Sequence, residues 1–275
     1  MKNVFLFSII FLSINLYSQC NGCNKNNQKL DIWDIQYSCN QKLTSYDECN
    51  DITNVLTESI SIAKTGEELL NIGLQKWNNN ELSFFALFDN RYKFNLEQFT
   101  KFKNLNHLLL KGIKITDNNF KKKIKLNGEY ILLIRNQLSI PLSQLEFSKK
   151  LKFVSLDENH LTGEVSEQFF NNPELINLSI EFNKLSGHLP VDLSGAKKLK
   201  FFTLNNNKIT GAVPESICEL ADLKVLHLQY NELDKLPECI CEMKKRSIDI
   251  ELYGNKFCEE IPKCIEKSIG FQECF

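Results

Sequence analysis

The chain has 275 residues, 43% hydrophobic and 24% charged, a composition that supports a buried core and excludes a disordered polyelectrolyte. Lysine and arginine number 33 against 34 acidic residues, so no basic excess exists to neutralise nucleic-acid phosphates or anionic lipid headgroups.

At the N-terminus, Lys2 provides a short positive region. Val4 to Leu16 form an apolar stretch broken only by Ser8, Ser13 and Asn15, and Ser18 is a small residue before a cleavage point. Residues 1–18 therefore read as an export signal, with a mature chain beginning near Gln19. The stretch is shorter than the roughly 20 apolar residues of a membrane span, and no later stretch is longer. Cys20 is a poor lipid-attachment site, because Tyr17, Ser18 and Gln19 lack the usual leucine and small-residue pattern.

Residues 19–81 read as an N-terminal cap. Its cysteines, Cys20, Cys23, Cys39 and Cys49, include one close pair, but the second pair that a zinc site requires is absent. In an exported chain, disulfides are the better reading, with three pairings open. Residues 51–77 carry apolar positions at roughly helical spacing, interrupted by Gly66 and ended by Asn78-Asn79-Asn80, which predicts two short amphipathic helices.

From residue 82 one spacing dominates. Asn136, Asn159, Asn183, Asn207, Asn231 and Asn255 recur every 23 or 24 residues, each within L-x-x-L-x-L-x-x-N-x-L or a close variant. The copy Leu175, Leu178, Ile180, Asn183, Leu185, Gly187, Leu189, Pro190 is the cleanest, and the copy from Leu199 to Pro214 repeats it. Ser166 stands where a proline would fall, and Pro237 comes one residue early. Upstream, Ile113 replaces the asparagine and lies 23 residues from both Asn90 and Asn136, so about eight copies fill 82–257.

The alternating leucines of each copy predict a short strand with its apolar side inward. One such strand cannot bury that side alone, whereas stacked copies form a parallel sheet over a continuous core. A buried asparagine amide can satisfy backbone groups where the chain leaves the strand, so Asn90, Asn136, Asn159, Asn183, Asn207, Asn231 and Asn255 should form a ladder. The glycine permits a tight return, and the proline stiffens an extended segment before the next repeat. So short a repeat leaves room only for 3₁₀ or extended segments on the outer side.

This repeat resembles the plant-type extracellular leucine-rich repeat, L-x-x-L-x-L-x-x-N-x-L-x-G-x-I-P. The chain is similar to polygalacturonase-inhibiting proteins and receptor ectodomains over about 82–265, most specifically over 151–214, and Ile113, Ser166 and Pro237 depart from the pattern. The resemblance implies an α/β repeat solenoid, a right-handed horseshoe whose concave parallel sheet binds proteins, peptides or glycans outside the cell. Inhibition of an exported hydrolase is implied by the resemblance alone. No kinase or membrane-spanning segment follows the repeats, which sets aside a receptor kinase.

Residues 258–275 read as a C-terminal cap, and six cysteines gather near it. Counted from Pro214, Pro237 and Pro262, Cys218 is equivalent to Cys241 and Cys239 to Cys264. Equivalent residues of adjacent repeats lie within bridging range, which predicts Cys218–Cys241 and Cys239–Cys264 and leaves Cys258–Cys274 to close the terminal cap.

No phosphate loop, nucleophile elbow or H-E-x-x-H motif is present. His107, His160, His188 and His227 fall singly in different repeats, and Asp157, Glu158 and Glu181 gather without a positioned partner. The expectation is therefore no catalysis, no cofactor and no metal. The runner-up to recognition is a structural or adhesive surface component. Asn177-Leu178-Ser179 matches a glycosylation sequon on the strand side.

The register defines three outward columns. Six residues before the asparagine stand Phe84, His107, Tyr130, Phe153, Asn177, Phe201, Val225 and Asp249. Four before stand Ala86, Leu109, Leu132, Ser155, Ser179, Thr203, His227 and Glu251; two before stand Phe88, Lys111, Ile134, Asp157, Glu181, Asn205, Gln229 and Tyr253. The first three repeats thus present a largely apolar surface, open to an external partner or to cover by residues 19–50. The later ones mix acids, amides and aromatics. The ligand site is expected at Phe153, Asp157, Glu181, Phe201, Asn205, His227, Gln229 and Tyr253.

Overall fold

The computed structural model describes residues 74–78, 81–87, 93–115, 123–258, 261–266 and 269–274. The chain divides into two compact units, Met1–Asn80 and Glu81–Phe275. The export signal, the four early cysteines, Phe88 and Asn90 lie outside the described residues, as does most of the expected helical cap. Within that cap Leu74–Asn78 is a strand. The helical expectation fails there because the four residues between Gly73 and the asparagine run are too few for a stable helix.

In the second unit, eight strands succeed one another in sequence and in space: Glu81–Leu87, His107–Lys111, Tyr130–Ile134, Phe153–Ser155, Asn177–Ser179, Phe201–Thr203, Val225–His227 and Asp249–Glu251. All neighbours are parallel, and Phe84, His107, Tyr130, Phe153, Asn177, Phe201, Val225 and Asp249 stand in one transverse row. This is the register anticipated from the asparagine spacing. The core is the inward side of this sheet, with Phe85, Leu108, Ile131, Val154, Leu178, Phe202 and Leu226 all fully buried.

The asparagine ladder is present from Asn136 to Asn255, and every rung reaches back to the preceding repeat. The Oδ1 of Asn207 accepts from Leu185 N at 3.0 Å while its Nδ2 donates to Ile180 O at 2.8 Å and to Leu204 O at 2.9 Å. Asn231 and Asn255 repeat this pattern on Ile209 N and Leu233 N. At the first described junction Asn136 accepts from Ile113 N, so the repeat that carries isoleucine at 113 is closed by the asparagine that follows it.

The residue before each rung is left-handed: Arg135, Glu158, Phe182, Asn206 and Tyr230 have φ between 51° and 58°, and Gly112 and Gly254 have 69° and 67°. Glycine suits this turn without strain, whereas the five other side chains carry an energetic cost there.

Opposite the concave sheet, short 3₁₀ helices at Leu96–Lys101, Leu142–Gln144, Glu167–Phe169 and Glu215–Glu219 alternate with short parallel strands, in keeping with the repeat length. An α-helix, Ile240–Lys245, breaks the series.

The disulfides correct the sequence-based pairing. They join Cys218 to Cys239, Cys241 to Cys264 and Cys258 to Cys274, with Cα separations of 6.3, 5.7 and 5.6 Å. Only the last was anticipated. Proline-to-proline counting assumes full repeats, but the convex strands are staggered: Ser186 pairs with Lys208 and Thr210 with Glu232, two residues short of a repeat. In addition, Cys239 caps the Ile240–Lys245 helix and Cys241 is its second residue. Two positions along a helix differ by about 200°, so the two thiols face opposite neighbours.

The C-terminal cap is closed by Gln272. Its Oε1 accepts from Phe257 N at 3.3 Å, and its Nε2 donates to Leu252 O at 3.2 Å and Ile269 O at 2.9 Å. These are the three bonds that a further ladder asparagine would make.

Candidate functional site

On the concave face, the row nearest the strand starts is aromatic over the first repeats. Successive side chains stand one strand spacing apart, about 4.8 Å, which suits ring stacking. His107 and Tyr130 stack at 4.5 Å and 3°, Tyr130 and Phe153 at 5.1 Å and 12°, and Phe84 tilts onto His107 at 5.9 Å. Rings used this way cover each other's faces and leave their edges to a ligand. Asn177 ends the stack by lying down on the sheet, its Nδ2 donating to Val154 O at 3.1 Å, so the nitrogen of the sequon is already committed. Phe201 comes next in the row, half-buried.

Further along the strands the face becomes polar. Asp157 accepts from Ser155 Oγ at 2.6 Å, Ser179 Oγ at 2.7 Å and Glu181 N at 2.8 Å. Even so, burial raises its pKa above the ordinary aspartate value, against the pull of those bonds. Glu181, one strand on, is pushed up to about 7, first by burial and then by the charge of Asp157; contacts with Thr203, Asn205 and Ser179 oppose the shift. Thr203 Oγ1 spends its proton on Ser179 Oγ at 2.9 Å. The hydroxyls of Ser155 and Ser179 thus donate to Asp157, and that of Thr203 to Ser179. Three buried acceptors in one column, Glu181 Oε1, Asn205 Oδ1 and Gln229 Oε1, have no hydrogen-bond partner.

In the last two repeats, Gln229 Nε2 donates to Glu251 Oε2 at 2.8 Å and His227 Nε2 lies 3.4 Å from Asp249 Oδ2. Burial and the neighbouring Glu251 raise the Tyr253 phenol. Among the described residues, two groups have three metal-ligand atoms close together: His227, Asp249 and Glu251, and Glu215, Cys218 and Cys239. The second is already consumed by the Cys218–Cys239 disulfide. The first forms an ion pair whenever the imidazole is protonated.

The structure therefore brings the expected residues onto one face, but it corrects their exposure. Asp157, Asn205 and Gln229 are buried, at 6%, 4% and 7% exposure, where outward-facing side chains were expected. Ala86 and Leu109 of the apolar half are buried as well. On the concave side of a curved sheet, side chains of adjacent strands converge and cover one another. Phe153, Glu181, Phe201, His227 and Tyr253 remain half-buried.

Two residues escaped the column reading. Phe182 and Tyr230, directly after Glu181 and Gln229, are each 51% exposed, and Tyr230 packs edge-on against Tyr253 at 5.1 Å. Their left-handed backbone turns the side chain outward, an effect invisible to period-two counting. An aromatic residue between an outward position and the ladder asparagine was the available signal.

Stacked parallel strands in repeat register, closed by a buried asparagine ladder, define a leucine-rich-repeat solenoid. In agreement, the family model for the Leucine Rich Repeat matches residues 198–220. Three solved structures are among those similar to this chain. The BIR3–SERK2 complex from Arabidopsis thaliana is 28% identical over 38% of this chain and 55% of that one, with a TM-score of 0.34. The Arabidopsis receptor kinase HAESA, in complex with the peptide hormone IDA and the co-receptor SERK1, is 18% identical over 69% and 41%, with a TM-score of 0.44. A leucine-rich-repeat protein of Leptospira interrogans is 28% identical over 64% and 44%, with a TM-score of 0.42. The chain thus spans about half the length of each of these structures. No curated protein matches the sequence.

Proposed function

We propose that this is an exported recognition module that binds a protein, peptide or glycan on its concave face and catalyses no reaction. The observation that carries this reading is the face of the fourth to eighth repeats. There, half-exposed Phe153, Phe201 and Tyr253, with Phe182 and Tyr230 at the rim, surround acceptors that lack donors. Aromatic area beside unfilled hydrogen-bonding capacity is the composition of binding hot spots. Three disulfides in the C-terminal part support passage through an oxidising compartment. Asp157 argues for binding over acid–base chemistry, because both its oxygens are committed to fixed donors.

The test is selection of binders from a displayed random-peptide library and a glycan array. Affinities are then compared for Phe153→Ala/Phe201→Ala/Tyr253→Ala and for a convex set, Lys125→Ala/Glu146→Ala/Lys149→Ala. The concave set should weaken binding by about thirtyfold or more and the convex set should not. Loss from the convex set alone would place recognition elsewhere. Unselective retention with no saturable ligand would favour an adhesive surface component.

A further inference from the structure

We propose that the column Asp157–Glu181–Asn205–Gln229 is built to receive a cationic side chain, arginine or lysine, of a partner polypeptide. The inference rests on concave-face recognition and names the chemistry of what is recognised.

A donor deficit comes first. Ser155 and Ser179 give their protons to Asp157, and Thr203 gives its proton to Ser179. That leaves Glu181 Oε1 and the amide oxygens of Asn205 and Gln229 without donors, although Asn205 and Gln229 are more than nine-tenths buried. A buried acceptor without a donor costs free energy, and a ligand bringing several N–H groups removes that cost. Glu181 itself is only half-buried, so part of its side chain stays open to solvent.

Charge selects among donors. The fifteen positions in the three rows of the last five repeats include four acids, Asp157, Glu181, Asp249 and Glu251, and no lysine or arginine. Lys184 and Lys208 follow Glu181 and Asn205 by three residues, exposed and past the ladder asparagines, whereas the lysines that precede these strands, Lys152, Lys200 and Lys224, stand at the opposite end. Lys152 is held by Glu129, and five residues of extended chain separate each of these preceding lysines from the acceptor column, about 16 Å, beyond the Debye length at physiological salt. The rim completes the site: Phe182 and Tyr230 stand exposed beside the column, and aromatic faces attract guanidinium and ammonium groups.

Titration of N-acetyl-arginine amide against the full-length protein, read by the side-chain amide signals of Asn205 and Gln229, tests this. Saturable binding with a dissociation constant on the order of millimolar is expected for so small a probe. N-acetyl-citrulline amide, equal in shape but neutral, should bind at least about tenfold more weakly, and Glu181→Gln should weaken the arginine probe by a similar factor. Affinity should also rise with pH near neutrality, as Glu181, faced by Asp157 on the preceding strand, loses its proton. Equal binding of the two probes, no saturation, or indifference to Glu181→Gln overturns the proposal. If selected peptides bind the concave face yet lack basic residues, recognition stands and the cation site falls.

Discussion

Replacing Glu181 with glutamine should make the protein more stable above neutral pH while weakening its ligand site. In the folded chain this carboxyl titrates at about 7, against an ordinary value of 4.5. Between those values the folded state holds the proton more tightly than the unfolded state. The contribution to stability is therefore fully present below about 4.5 and is lost as pH rises through about 7. At 1.36 kcal/mol per pH unit, the difference amounts to an upper limit of about 3.4 kcal/mol. Glutamine has no charge to bury, and its amide supplies a donor beside the orphaned Asn205 Oδ1. Asp157 is shifted in the same direction, so some pH dependence should survive in the variant. The assay is denaturant unfolding under non-reducing conditions at about pH 5 and about pH 8, monitored by circular dichroism. Wild type should lose stability between the two, and Glu181→Gln should lose much less. Parallel curves for the two proteins would refute the view that this carboxyl is buried at a cost.

Asn207→Ala should destabilise by about 2–4 kcal/mol in the same unfolding assay, since it strands Leu185 N and the carbonyls of Ile180 and Leu204. A loss below about 0.5 kcal/mol would show the rung to be dispensable. Phe182→Gly should raise stability by about 1 kcal/mol through relief of its left-handed backbone, yet weaken ligand binding; unchanged binding would remove Phe182 from the site. Non-reducing peptide mapping should recover Cys218–Cys239, Cys241–Cys264 and Cys258–Cys274, and a Cys218–Cys241 peptide would contradict the convex stagger.

The repeat was legible in the sequence because one physical requirement, a buried amide at each strand exit, recurs at a fixed spacing. Row assignments came directly from it, as the alignment from Phe84 to Asp249 shows. What escaped depends on three-dimensional offsets. Exposure in the concave rows was overestimated because curvature, absent from any linear pattern, crowds Asp157, Asn205 and Gln229 between neighbours. The cysteine pairing failed because the concave strands align at whole repeats whereas the convex strands are offset by two residues. Phe182 and Tyr230 were missed because a positive φ swings their side chains out of the plane that alternation assumes.

Gln272 gives the solenoid a direction. Every rung completes the coil before it, so a coil is finished by whatever comes next and never by itself. The cap supplies that closing amide from a longer side chain on an irregular segment. Coil number is consequently decoupled from termination. A whole unit inserted between Asn231 and Asn255 would still present the same last amide requirement to the same glutamine. Removing residues 258–274 would instead leave Phe257 N and Leu252 O open at the end, a fault that more coils could only relocate.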